Sequence, residues 1–197
     1  MHRDDLIRQL HHYQAESIVD RLNASVILAF VLLNRSCFNA EHPPTRGDEK
    51  DDQMGHITGS AWLLSPDRRK VLLTYHKKLN KWLQLGGHSD GCPNVLETAL
   101  REAREESGIA NVQPLSNEVF DVDVHKIPGT ATRPEHLHYD VRYILISPDT
   151  EEFVTSEESH ELKWVSFEDV SQYSTEESVL RMVRKWQKNF LPPSAIH

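Results

Sequence analysis

The sequence predicts an α/β fold preceded by an N-terminal helical extension. From residue 56 onwards, short strand candidates alternate with turn residues, which is the pattern of a sheet-forming domain. Between two of these strands lies a strongly periodic helix, and further helical stretches occupy both ends of the chain. We therefore divide the chain into a helical extension over residues 1–38, a loop or linker over 39–55, and one α/β domain over 56–197.

Composition limits the classes of function. The chain has 197 residues and a net charge of −8, which argues against a stable complex with nucleic acid. It has two cysteines, so no disulfide framework is expected. Its first residues are too polar for a signal peptide, and the longest apolar run, over 26–33, is too short to span a membrane. We expect a cytoplasmic protein that does not enter a membrane.

The N-terminal region, over residues 4–35, is predicted to be helical. Its first part places Leu6, Leu10 and Tyr13 on one stripe, and its second part predicts a buried stripe of Ile18, Leu22, Val26, Phe30 and Leu33. Periodicity alone leaves a strand open as an alternative for the most apolar part. These helices are predicted to cover a cleft, to form the contact of a homodimer, or to extend the core.

The α/β domain begins after a polar stretch rich in proline and charge. Strands are predicted at 56–64, 70–76, 82–85, 119–127, 137–146 and 162–165. A last helix is predicted over 174–190, with Ser174 and Glu177 as its capping box and Val179, Val183, Trp186 and Phe190 as its buried stripe.

The central helix carries an unusual group of acids. Asn94 and Glu97 resemble a capping box at its start, and Gly108 marks its end. Glu102, Glu105 and Glu106 share one face of its last turns, where the helix dipole opposes negative charge. A bound divalent cation would remove this penalty, and carboxylate oxygens suit Mg²⁺ or Mn²⁺. The alternative interpretation is a solvated acidic face.

A longer pattern surrounds these acids. Gly87 is followed, at fixed distance, by Arg101-Glu102-Ala103-Arg104-Glu105-Glu106-Ser107-Gly108-Ile109. This 23-residue stretch resembles the signature of the Nudix hydrolases, which reads G, five residues, E, seven residues, then R-E-U-x-E-E-x-G-U with U apolar. The match lacks the first glutamate, because Pro93 occupies its position. The resemblance implies that this glutamate would pair with Arg101, and Glu97 or Asp90 is a candidate substitute for it.

The resemblance implies a Nudix-like α/β/α sandwich with a mixed sheet. It also implies hydrolysis of a diphosphate linkage in a small-molecule nucleoside diphosphate derivative. Glu102, Glu105 and Glu106 would bind Mg²⁺ or Mn²⁺ together with a backbone carbonyl of the glycine pair, for which Gly87 is the candidate. Among the acids Glu105 is also expected to be catalytic, as is Arg101. Two other classes remain: a catalytically weak module that binds or senses nucleotides, and different metal-dependent chemistry on the same scaffold.

Further site residues are predicted outside this stretch. His136, His138, Asp140 and Arg142 alternate along one strand and so share one of its faces. We expect His138, Asp140 and Arg142, together with His88, to contact the substrate; a solvated strand edge with a His–Asp hydrogen bond is the alternative. Related enzymes place a glutamate before the last strand, so Glu158 is the predicted catalytic base, with Glu157 and Glu161 behind it. These acids also fit a solvated loop.

Overall fold

The computed structural model describes residues 3–39, 55–129, 134–157 and 159–190. The N-terminal region forms two helices, α1 (Arg3–His12) and α2 (Ile18–Leu33), rather than one continuous helix. The break has a local cause, because the side chain of Ser17 caps α2 by accepting a hydrogen bond from the backbone N–H of Asp20.

The predicted buried stripe of α2 is wrong. Asp20, Ala24, Ile27 and Val31 face the core, whereas four of the five predicted residues, Ile18, Leu22, Val26 and Leu33, are exposed. Only Phe30 of that stripe is half-buried, with its ring stacked on Tyr139. The helix is apolar on almost every side, so hydrophobic periodicity does not distinguish its faces. The buried charge of Asp20 decides the orientation, since its carboxylate lies 2.8 Å from the ammonium group of Lys185.

A mixed sheet forms the centre of the molecule. Its strands are β1 (Gly55–Leu64), β2 (Lys70–His76), β3 (Lys81–Leu83), β4 (Leu85–His88), β5 (Gln113–Pro114), β6 (Asp121–Ile127), β7 (His136–Ile146) and β8 (Ser159–Ser166). The main order is β3-β2-β1-β7-β5, with β4 paired to β1, β6 to β7 and β8 to β2. Strands β1 and β7 run parallel, and the other pairs are antiparallel.

Helices cover both faces of this sheet, which confirms the predicted sandwich. The central helix is α3 (Val95–Ser107), and the C-terminal helices are α4 (Val170–Tyr173) and α5 (Glu177–Phe190). Side chains of α1, α2 and α3 share one hydrophobic cluster with Ile57, Ala61 and Leu63 of β1. Trp62 and Leu64 of β1 point to the other face and pack with α5. The alternation of β1 therefore separates the core into two layers.

The C-terminal helix begins later than predicted. Its first residue is Glu177, and the hydroxyl of Ser174 accepts a hydrogen bond from the backbone N–H of Glu176. Val179, Val183 and Trp186 are buried as predicted, whereas Phe190 is 46% exposed. Across the described part of the chain, no helix combines the length and apolar character that crossing a membrane requires.

Candidate functional site

Helix α3 is held at both ends by the residues that the sequence predicts. The side chain of Asn94 accepts a hydrogen bond from the backbone N–H of Glu97, which caps the start. Gly108 adopts a left-handed conformation with a φ of 69°, and its N–H donates to the carbonyl of Arg104. A side chain at this position would be strained, so Gly108 ends the helix directly after its acidic turn.

The glycine pair of β4 contacts two of the three predicted metal-binding acids. Glu106 is 6% exposed, and its carboxylate accepts a hydrogen bond of 2.7 Å from the backbone N–H of Gly86. Gly87 lies against Glu102 so closely that a Cβ atom there would come within 2.6 Å of both carboxylate oxygens. Only glycine allows this approach of backbone and carboxylate.

Arg101 joins the acids to strand β4, which carries the glycine pair. Its guanidinium lies 2.8 Å from Glu102 and 3.0 Å from Glu105, and it donates a 2.7 Å hydrogen bond to the carbonyl of His88. Burial lowers the pKa of Arg101, but the carboxylates of Glu102 and Glu105 outweigh burial and hold this pKa above its ordinary value. Arg101 therefore stays charged and fixes both acids relative to β4.

Pro93 replaces the first glutamate of the signature, so the two candidate substitutes, Asp90 and Glu97, can be compared by their distance from Arg101. The carboxylate of Asp90 lies 3.7 Å from the guanidinium of Arg101. The side chain of Glu97 instead accepts a 3.5 Å hydrogen bond from the amide of Asn94. Of the two candidate substitutes, Asp90 is thus the one placed beside Arg101.

Exposure differs among the three carboxylates. The side chain of Glu105 is 59% exposed, whereas that of Glu102 is 12% exposed. Glu106, the most buried, is fixed by the backbone N–H of Gly86 in β4. The three acids thus differ in how accessible their carboxylates are, from the nearly buried Glu106 to the exposed Glu105.

Asp140 and Arg142, two of the predicted substrate contacts, lie in a buried network. Both residues are 1% exposed. The Nε of Arg142 donates to Asp140 at 2.7 Å, and its Nη1 donates to Asp121 at 3.1 Å. Asp140 also accepts hydrogen bonds from the hydroxyls of Thr58 and Ser60. This arrangement favours a role in joining β1, β6 and β7 over contact with a substrate.

His88 and His138, the other predicted substrate contacts, lie together on the sheet. Successive residues of a strand point to opposite faces, so His88 points away from the face on which Gly87 meets Glu102. Its ring lies 5.3 Å from that of His138 and 4.7 Å from that of His56, measured between ring centroids. His56 is the first residue of the strand predicted at 56–64, and nothing in its spacing along that strand marks it as a partner of His88 and His138.

The predicted catalytic base lies in the segment before β8. Glu158 lies outside the described residues. Its neighbour Glu157 is exposed, and Glu161 is exposed on β8 opposite Tyr75 of β2. Their catalytic role stays a prediction.

Comparisons with known proteins agree with this architecture. The family model described as the NUDIX domain matches residues 55–191, which is more than half of the chain. No curated protein matches the sequence significantly.

Solved structures resemble the fold at low sequence identity. A C. elegans Ap4A hydrolase in a binary complex has 15% identity and a TM-score of 0.57, with 67% of this chain and 95% of that chain covered. The E. coli dihydroneopterin triphosphate pyrophosphohydrolase has 15% identity and a TM-score of 0.51, with 68% and 95% covered. RenU, a Nudix hydrolase from M. smegmatis, has 17% identity and a TM-score of 0.50, with 68% and 84% covered. At these identities the likeness establishes the fold.

Proposed function

The chain belongs to the Nudix hydrolase family, and from this premise we propose that it is a pyrophosphohydrolase with a specific kind of substrate. It cleaves the diphosphate linkage of a nucleoside diphosphate joined to another group, and it depends on a divalent metal ion. The observation that carries this proposal is the close approach of Gly87 to Glu102 beside the hydrogen bond from Gly86 to Glu106.

The residues present fit a hard divalent cation. Glu102, Glu105 and Glu106 would hold Mg²⁺ or Mn²⁺, with a backbone carbonyl of the glycine pair as a further oxygen ligand. The bound ion would neutralise the diphosphate and lower the pKa of the attacking water. Arg101 keeps Glu102 and Glu105 in place, and its positive charge would stabilise a phosphate bound beside them.

Proton transfer from the attacking water needs a carboxylate near the metal. Among the residues that the structure describes, Glu105 is the candidate for this role. Its side chain is exposed, and its carboxylate is held 3.0 Å from the guanidinium of Arg101. Glu158 is the second candidate from the sequence. The leaving phosphate carries its own negative charge, so the reaction needs stabilisation of charge more than a strong acid.

The decisive experiment compares two glutamates on the same helix. Glu106→Gln removes one charge from the buried acid, whereas Glu97→Gln removes one from an exposed acid outside the acidic face. Hydrolysis of diadenosine tetraphosphate, ADP-ribose and related compounds is measured with Mg²⁺, with Mn²⁺ and with a chelator. We expect Glu106→Gln to lower kcat at least about 100-fold, and Glu97→Gln to leave kcat near that of the wild type.

Two results would overturn this proposal. Turnover that persists in the presence of the chelator would show that the reaction does not need a metal ion. Tight nucleotide binding without turnover of any compound would instead support the alternative of a nucleotide-binding module.

Glu158→Gln tests the second candidate base. If Glu158 accepts the proton from water, its loss lowers kcat by about 100-fold or more while metal binding stays intact. The matched control is Glu157→Gln, which changes the neighbouring acid. Near-normal turnover of Glu158→Gln would leave Glu105 as the base.

A further inference from the structure

Five histidines meet at one end of the sheet. They come from four strands: His56 on β1, His88 on β4, His125 on β6, and His136 and His138 on β7. Strand register brings them together, because His56 lies opposite His138 in the parallel β1–β7 pair and His125 lies opposite His138 in the β6–β7 pair. A structural role does not require so many imidazoles at one point.

Three of these histidines have the spacing of metal ligands. Each of His56, His136 and His138 offers a ring nitrogen, and the three nitrogens lie within 4.8 Å of one another. Around a tetrahedral Zn²⁺ ion with Zn–N bonds of about 2.0–2.1 Å, two such nitrogens are separated by roughly 3.4 Å. Ring rotations that move each nitrogen by less than about 1 Å would therefore close the site.

The protonation of His136 leaves a nitrogen available. Its Nδ1 lies 3.0 Å from the carbonyl of Pro134, and a carbonyl only accepts, so Nδ1 carries the proton. The nitrogen of this ring that can accept or coordinate is then Nε2. This Nε2 is buried and has no hydrogen-bond partner among the described residues. A backbone carbonyl that fixes the far nitrogen is a common feature of histidine ligands.

His138 lies in the middle of the group, with its ring 4.7 Å from that of His56 and 5.3 Å from that of His136, measured between ring centroids. Its Nε2 is also buried without a hydrogen-bond partner in the described parts of the chain. A buried nitrogen with a lone pair and no donor opposite it is costly, and a cation would remove that cost.

We infer that His56, His136 and His138 form a binding site for a divalent transition metal of the zinc type. Three imidazole nitrogens favour zinc and its neighbours over Mg²⁺, which takes oxygen ligands. The fourth position of a tetrahedral ion is open to water or to another ligand. This site is distinct from the acidic face of α3, because β4 presents Gly87 to that helix and His88 to the histidines.

The test uses the full chain after removal of metals with a chelator. Zn²⁺ and Co²⁺ are titrated in excess Mg²⁺, which occupies oxygen sites, and binding is followed by calorimetry and by the visible absorption of Co²⁺. We expect one equivalent to bind per chain. His136→Ala and His138→Ala should each weaken binding at least about 100-fold, whereas His11→Ala, which changes an exposed histidine of α1, should leave the affinity unchanged.

One variant separates the histidine site from the proposed hydrolase site. Glu102→Gln should lose hydrolysis but keep Zn²⁺ affinity. Unchanged Zn²⁺ affinity in both histidine variants, or its loss in Glu102→Gln alone, would overturn the inference. Imidazole ¹⁵N spectra of the wild-type chain give a readout that needs no variant to fold. Zn²⁺ should shift the signals of three histidines, and spectra without such shifts would also overturn it.

Discussion

At the scale of single residues, Gly87 is the position on which the acidic site depends most directly. The missing side chain lets the strand backbone touch the carboxylate of Glu102, and no rotation of a larger residue avoids that contact because the clash is at Cβ. Glu102 is in turn tied to Arg101 and so to Glu105. A single methyl group would thus displace a connected set of charged groups.

We expect Gly87→Ala to lower kcat/KM by about 10- to 100-fold, because misplacing a reacting group by about 1 Å has effects of that size. Steady-state kinetics with the best substrate of the panel measures the change. Cys92→Ala, in the segment between β4 and α3, is the matched control and should keep near-normal kinetics. Equal kinetics for Gly87→Ala and the wild type would show that Glu102 does not need its present position.

Part of the candidate site could be predicted from residue spacing. The shared face of the three acids, the cap at Asn94 and the helix end at Gly108 can all be predicted from positions along one helix. Such a prediction needs no information about the rest of the fold. The burial of Arg142 and Asp140 could not be predicted in this way. Their partners Thr58 and Asp121 lie on other strands, and one sequence does not reveal the register that pairs them.

At the scale of elements, strands were more predictable than the faces of the N-terminal helices. The strand predicted at 70–76 matches β2, and that at 137–146 differs from β7 by one residue, because turn residues bound both. The break between α1 and α2 was missed, although Ser17 and Asp20 have the spacing of a cap. Helix α2 is apolar on almost every side, so its sequence does not reveal which face is buried. The buried charge of Asp20 determines that face.

The corrected orientation of α2 predicts unequal effects of two similar substitutions. Ile27 is fully buried, whereas Leu22 is 58% exposed. Ile27→Ala should lower the free energy of unfolding by about 2–4 kcal/mol, since it leaves a cavity in the core. Leu22→Ala should change it by less than about 0.5 kcal/mol. Urea unfolding measures both free energies of unfolding. A larger loss of stability for Leu22→Ala than for Ile27→Ala would support the buried stripe predicted from periodicity.

At the scale of the whole molecule, buried charges join the N-terminal helices to the sheet. Lys185 of α5 lies 2.8 Å from Asp20 of α2 and 2.6 Å from Asp121 of β6. Arg181 and Arg142 also contact Asp121. Leu6 and Ile27 meanwhile share a hydrophobic cluster with the sheet. In the described structure, the extension is therefore an integral part of one core layer.

Asp20 makes this connection sensitive to acid. Burial raises the pKa of Asp20, but hydrogen bonds from Lys185, Tyr13 and the backbone of Glu16 outweigh burial and hold the pKa below its ordinary 3.8. As the pH falls, the unfolded chain therefore takes up a proton at Asp20 before the folded chain does. The stability that Asp20 contributes is complete above about pH 3.8 and is lost as the pH falls through the lower pKa of the folded state.

Asp20→Asn should therefore lower the free energy of unfolding by about 3 kcal/mol at pH 7, because it leaves Lys185 buried with one carboxylate fewer. The difference between this variant and the wild type should narrow below about pH 3.8, where the wild-type carboxylate loses its advantage. Urea unfolding from pH 7 to pH 2.5 measures it. Asp5→Asn, at an exposed ion pair with Arg8, is the control and should stay within about 0.5 kcal/mol of the wild type throughout. A difference for Asp20→Asn that stayed constant down to pH 2.5 would mean that the charge of Asp20 does not hold the extension on the sheet.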